Sequence, residues 1–239
     1  MRQTISGPGR ALAFREVSDA ETDYDELCAI RNRAWPENPV GVEVTRYFDE
    51  TRPAHLLHQR FEMRRAGRVV GFSAVFAVPW SHGPGLANID WWTCDEDEAA
   101  ICDHLLAWAA QRGLDTLSHG TREDLAGRRE MLEARGFAPV LRAPRSALDL
   151  TTFDAAPWEP VVGRVRSAGI EILAAANIAE RFPDWQRRLW VLSGHVEEAM
   201  PRPAGTDITW PPFEEWLRYI EGPLWYPEVC LIAVDGDEF

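Results

Sequence analysis

The sequence predicts an α/β (α+β) protein: a mixed sheet with helices on both faces, followed by a partial second copy of the same plan. Three observations predict it. Strand-like and helix-like spacings of apolar residues alternate through residues 11–150, in the order strand, two helices, three strands, helix, strand, helix, two strands. One segment, VVGFSAVFAV at 69–78, is apolar on both faces and so belongs at the centre of its sheet. From Gly169 the opening of this order recurs, and CLIAVDG in the second stretch matches FEMRRAG in the first.

The elements follow in order. ALAFREVS at 11–18 forms a strand, and the polar stretch from Asp19 opens a helix through Leu27, Ile30 and Ala34 that Trp35-Pro36 stops. A short helix covers Val44 to Glu50. In His58 to Arg64, Phe61 and Met63 alternate with Arg60, Glu62 and Arg64, the period of a strand buried on one face. Ala66-Gly67 turns the chain into the central strand, Trp80 to Gly85 is a loop, and Leu86 to Thr93 is the next strand. From Asp95 to Arg112 a helix carries Ile101, Leu105, Trp108 and Ala109 inward and ends at Gly113. Leu114 to Ser118 is a short strand, Arg122 to Arg135 a helix stopped by Gly136, and Phe137 to Leu141 pairs with Ser146 to Leu150 as a closing hairpin. Residues 151–163 carry two prolines and no periodicity, which reads as a linker. Residues 164–239 then offer a strand at GIEILAAA, helix from Ile178 to Val196 interrupted at Pro183, helix from Phe213 to Ile220, and a strand from Val229 to Val234 ending in Asp235-Gly236.

Composition narrows the function classes. All 25 basic residues are arginine, and 38 acidic residues leave a formal net charge of −13, so nucleic acid and anionic membrane are disfavoured partners. There is no apolar leader and no run of about 18 apolar residues, which gives a cytoplasmic expectation. The avoidance of lysine suggests a GC-rich bacterial source. Cys28, Cys94, Cys102 and Cys230 lack metal-site spacing and read as reduced, buried thiols, with no metal expected. No G-x-S-x-G, Walker, H-E-x-x-H or dinucleotide glycine pattern occurs.

EMLEARGFAPV at 130–140 resembles the late helix and Gly-Phe strand of the GNAT N-acetyltransferases, and RVVGFSAVF at 68–76 resembles their third strand. With the element order and the internal repeat, the chain is similar to a tandem member of that family: a first copy at 11–150, a linker at 151–163, and the first half of a second copy at 164–239. The resemblance implies acetyl transfer from acetyl-CoA, as co-substrate, to a small-molecule or peptide amine, with catalysis in the second copy; because residues 164–239 hold only the acceptor-side half of that copy, these 239 residues alone are expected to be inactive. A second copy that stops before its central strand leaves an open edge near Cys230 to Val234, and a homodimer is one expected consequence.

In that family a diphosphate cradle of the form R-x-x-G-x-G or R-x-x-G-x-A precedes the helix after the fourth strand. With Leu105-Leu106 aligned to its paired leucines, Asp97 stands at the arginine, Ala100 at the first glycine and Cys102 at the second. A diphosphate about 6 Å from one such carboxylate meets roughly 3 kcal/mol of repulsion per charge pair at an effective dielectric near 20. Residues 11–150 are therefore expected not to bind acetyl-CoA. The acids read as a helix cap, Asp95 with Glu98 completing a capping box, or else as a site for a hard cation or amine. Leu132 stands where the family often has a tyrosine acid. His119 is a general base or an ordinary loop histidine. Arg60, Arg64, Arg65 and Arg68 read as a solvated strand face. The two indoles of Trp91-Trp92 lie on opposite sides of their strand, and the tryptophans of the second half are read mainly as core and inter-domain packing. Asp207, Trp210 and Tyr226 are the candidate acceptor contacts, and no catalytic residue is assigned. The rival reading is a non-catalytic pseudoenzyme or binding module.

Overall fold

A computed structural model describes residues 11–78, 85–94, 97–144, 146–201 and 209–239. They fall into two compact units, one of 11–138 with 209–211 and one of 139–201 with 212–239. The expected loop at Trp80 to Gly85 lies, apart from Gly85, outside the described residues.

The first unit is a five-stranded sheet with helices on both faces. Its elements are β1 (Ala13–Val17), α1 (Tyr24–Ala34), α2 (Val42–Thr51), β2 (His58–Arg65), β3 (Arg68–Phe76), β4 (Leu86–Thr93), α3 (Glu98–Ala110), β5 (Thr116–Ser118) and α4 (Ala126–Glu133). The strands lie in chain order, antiparallel except for the parallel β4–β5 pair, so β3 is central as its apolar faces require. Phe61, Met63, Val75, Ile89 and Trp91 pack on one face with Leu105 of α3 and Leu132 of α4. Phe72 packs on the other with Tyr24, Leu27 and Ile30 of α1. Trp91 and Trp92 take opposite faces, as their adjacency dictates.

Local rules explain the boundaries. The helix expected from Asp19 begins as a 3-10 turn at Asp19–Glu21, because the Glu21 carboxylate bonds back to Ser18 N at 3.0 Å and Ser18 Oγ at 2.7 Å. Asp23 then caps α1 by accepting from Glu26 N at 3.0 Å. Ala66 (φ 49°) and Gly67 (φ 80°) make a two-residue hairpin turn whose twist suits the flanking strands. At Gly71 a Cβ would lie 2.7 Å from the Trp92 carbonyl oxygen, beside the register shift at Met63/Arg64, so only glycine lets β3 and β4 close there.

Two expected segments differ. The hairpin of 137–150 is not formed among the described residues: no strand is present, and Val140, Leu148 and Leu150 are exposed. Pro139 would break its ladder by lacking an N–H. The linker at 151–163 instead contains a 3-10 turn (Ala156–Trp158) and the start of α5 (Glu159–Ser167). Pro160 sits in the first turn of α5, where its missing N–H costs nothing.

The second unit continues with β6 (Ile170–Ala174), α6 (Ala175–Arg181), α7 (Trp185–Ala199), α8 (Phe213–Ile220) and β7 (Leu231–Asp235). Pro183 separates α6 from α7 as expected. β6 and β7 pair antiparallel from Ile170↔Asp235 to Ala174↔Leu231, burying Ile232 and Val234 and leaving Ile172 and Leu231 exposed. After β7, Asp235 and Glu238 exchange both backbone hydrogen bonds at 2.9 Å around Gly236 (φ 60°). Trp216 is buried here, and Phe213 is ringed by Trp190 and Trp216. Among the described residues no helix is long and apolar enough to cross a membrane.

Candidate functional site

The candidate site of the first unit lies where β4, β5 and the start of α3 meet. β4 and β5 pair only from Leu86–Asn88 to Thr116–Ser118. Beyond the last rung, the His119 ring takes over: Nδ1 lies 2.9 Å from the Ile89 carbonyl oxygen, which only accepts, so Nδ1 carries the proton. The imidazole stacks on the Trp91 indole at 4.1 Å and 2°. Burial pushes its pKa below the ordinary histidine value, with the Arg128 guanidinium adding to the effect. The ring is thus neutral near pH 7, and Nε2 is buried with no hydrogen-bond partner.

The cap of α3 is Asp97, two residues later than the expected Asp95, which lies outside the described residues together with Glu96. Asp97 Oδ1 accepts from Ala99 N at 3.0 Å and Ala100 N at 3.3 Å. Glu98 does not complete a capping box, because Arg128 of α4 holds its carboxylate, with Nε at 3.0 and 3.1 Å from the two oxygens. Burial alone would raise the Glu98 pKa; the Arg128 bonds overcome it and hold the carboxyl below its usual range. Arg128 also stands 5.4 Å from the Trp91 ring centroid.

The opposite face of the sheet carries two groupings that sequence reasoning missed. Arg60 is not a solvated strand residue: only 5% of it is exposed, and it bonds Asp49 at 2.8 Å, Thr22 at 3.0 Å and Asp19 at 3.4 Å. Arg52 binds the same two carboxylates. His58 lies 3.8 Å from Asp19, its pKa pushed down to about 4 by burial and the two guanidiniums. Asp19, Asp49 and His58 converge closely enough for a cation, but both carboxylates are already neutralised by Arg52 and Arg60, so the group reads as a buried ionic network. An adjoining open cleft of about 410 Å³ is lined by Glu16, Ser18, Asp19, Glu21 and His58, and its acids likewise hold partners, Trp108 Nε1 on Glu16 among them. Glu62, read as exposed, is also buried, between Arg15 and Arg64. Further along β4, burial raises the Asp90 carboxyl to about 6, against the opposing pull of its bond from Trp91 N and of Arg31 and Arg128. A charged residue between the apolar Ile89 and Trp91-Trp92 was the available signal.

The other sequence candidates are scattered. Asp207 lies outside the described residues. Trp210 is half-buried, its Nε1 buried with no hydrogen-bond partner, and Tyr226 is exposed in the turn before β7. Leu132 is a core residue. Of the four free cysteines, Cys28 and Cys102 are buried as expected, whereas Cys94 is exposed and Cys230 half-buried.

Among the described residues, the groups at the start of α3 and the end of β4 that could meet the acetyl-CoA implied by the resemblance already hold partners within the chain. The amides that would meet a diphosphate are taken by Asp97, the nearby cation by Glu98, and the open end of β4 by His119.

No family model and no curated protein matches the chain. Solved structures do resemble it. An aminoglycoside N-acetyltransferase in complex with CoA is 15% identical, covering 60% of this chain and 99% of its own, with a TM-score of 0.44. A spermidine N-acetyltransferase from Vibrio cholerae is 13% identical over 53% of this chain and 79% of its own, at 0.42. An aminoglycoside 6'-N-acetyltransferase from Acinetobacter baumannii is 14% identical over 59% and 99%, at 0.40.

Proposed function

We propose that the chain is a tandem acetyltransferase-like protein whose first unit is a non-catalytic body, and that acyl-CoA-dependent transfer of an acetyl group to an amine belongs to the second copy. The repeat is supported by two strand pairs of the same kind. In each unit the first strand is followed by helices and then by an antiparallel partner, β1 with β2 and β6 with β7. Each partner strand then enters a two-residue turn closed by a residue pair three apart, Arg65↔Arg68 and Asp235↔Glu238. In this reading α6, α7 and α8 shape the acceptor side and Tyr226 remains a proposed contact; of the other two residues the sequence suggested, Trp210 falls in the first compact unit and Asp207 lies outside the described residues.

The observation that carries the assignment for the first unit is the Asp97 carboxylate on the Ala99 and Ala100 amides. A helix N-terminus binds a phosphate through free amides and a favourable dipole, and here an anion of the chain itself already uses both. Hydrogen exchange of the full chain with and without acetyl-CoA tests this. No acetyl-CoA-dependent protection is expected at Ile89, Ala99 or Ala100. Protection at the start of α3 would overturn the reading.

A further inference from the structure

One helix of the first unit is held in place by charge more than by apolar packing. α2 has no buried residue, and its Phe48 is 37% exposed. Its two ends are fixed differently. Just before the helix, the Asn32 side chain of α1 exchanges two hydrogen bonds with the Val40 backbone, at 2.8 and 3.0 Å. At the far end the Asp49 carboxylate, 7% exposed, receives Arg60 of β2 at 2.8 Å together with the Arg52 guanidinium, and Arg52 reaches on to Asp19 at 3.0 Å. The Tyr24 hydroxyl of α1 bonds Asp49 as well. Between the ends the contacts are light: Val42 at the rim of the α1 cluster, Thr45 Oγ1 at 3.4 Å from Cys28 Sγ, and Arg46 at 5.1 Å from the Tyr24 ring centroid. An element tied at one end and clasped at the other can open alone, because its release breaks polar bonds and empties no core.

His58 lies within the clasp, with 14% of its side chain exposed. It faces Asp19 of the 3-10 turn, Asp49 of α2, Arg52 just beyond α2 and Arg60 of its own strand. Glu16 and Glu21 share with it the open cleft of about 410 Å³. A proton on this ring places a third positive charge beside two guanidiniums.

We propose that α2 is a hinged strap, tied at Val40 and clasped at Asp49, and that protonation of His58 in mild acid unlatches it while the sheet stays folded. With the strap closed, burial and the two guanidiniums lower the His58 pKa from 6.5 to about 4; with it open, the ring returns toward the ordinary value. The closed form thus binds this proton less tightly. Its advantage is complete above about pH 6.5 and is lost as the pH falls toward 4. Between pH 7 and pH 5 the open-to-closed ratio should rise about 20-fold. The inference goes beyond the proposed function and does not depend on it, since no group of the clasp belongs to β4, α3 or α4.

Hydrogen exchange of the full chain at about pH 7 and pH 5, corrected for intrinsic exchange rates, tests it by comparing α2 with β3. Protection of α2 should fall about 20-fold more than that of β3. In His58→Gln the extra fall should vanish. Asp49→Asn should speed exchange in α2 at pH 7 itself, with β3 still protected. An α2 that loses no more protection than β3 in the natural chain overturns the strap, and so does an α2 already unprotected at pH 7. An undiminished extra fall in His58→Gln overturns His58 as the latch. Should Asp49→Asn fail to fold, the natural chain and His58→Gln still decide between these outcomes.

Discussion

Asp90→Asn tests how the centre of the first unit bears a half-buried acid. Its carboxyl is raised from 3.8 to about 6, burial being the main cause and Trp91 N, Arg31 and Arg128 opposing it. The folded state therefore binds this proton more tightly than the unfolded chain does. The group's contribution to stability is fully present below about pH 3.8 and is lost as the pH rises through about 6. The full loss is about 3 kcal/mol at 1.36 kcal/mol for each unit of pKa. Asparagine is close in shape to the protonated acid and keeps an acceptor for Trp91 N, which Asp90 Oδ1 now bonds at 2.8 Å. At pH 8 the variant should be more stable than the natural chain by about 2 to 3 kcal/mol, and the two should converge near pH 4. Urea denaturation across that range measures both, with unchanged m-values as the check that the folded and unfolded states are comparable. A variant that is less stable at pH 8, or a stability difference independent of pH, would refute the placement of Asp90 in a desolvated site.

Arg60→Leu should cost about 3 to 5 kcal/mol, because it leaves the Asp49 carboxylate, 7% exposed, with Arg52 as its remaining guanidinium; a urea-denaturation difference below about 1 kcal/mol would contradict the buried network. Gly71→Ala should destabilise by about 1 to 3 kcal/mol, since its Cβ meets the Trp92 carbonyl oxygen at 2.7 Å in a strand that cannot move aside; an unchanged melting temperature would show that the β3–β4 contact is looser than described. Asp97→Ala should cost about 1 kcal/mol through the freed Ala99 and Ala100 amides, with faster hydrogen exchange confined to the first turn of α3, and loss of protection along the whole helix would refute a local capping role.

The strands and helices were legible where a local rule decides them. Alternation located β2, apolar faces on both sides made β3 central, and Ala66-Gly67, Gly113 and Gly136 marked turns and helix ends with positive φ. Legibility failed where the same residue type obeys two rules. Pro160 reads as a breaker in a loop and as a favoured residue in a first helical turn, and nothing local distinguishes the two before the helix is known. The expected hairpin at 137–150 failed for the converse reason. Its apolar residues had strand-like spacing but no neighbouring surface, and Val140 and Leu150 remain exposed.

The candidate site was less legible because its chemistry depends on partners remote in sequence. On β2 the alternating arginines suggested a face toward water, since a charge is solvated unless something covers it. What covers Arg60 is the turn at Asp19–Glu21 and the end of α2, and its bonds to Asp19 and Thr22 span 41 and 38 positions. Periodicity reports that Arg60 and Phe61 point in opposite directions and says nothing of what either meets. The acidic loop before α3 shows the same limit at shorter range. Asp95 and Asp97 both offer a cap by residue type, and the structure selects Asp97, which frees Glu98 to reach Arg128 on a different helix. That displacement of two residues turns an apparently redundant acidic run into two separate occupations, one of backbone amides and one of a cation. It is on these pairings, more than on the acidity of the sequence, that the proposal of a first unit without a diphosphate cradle rests.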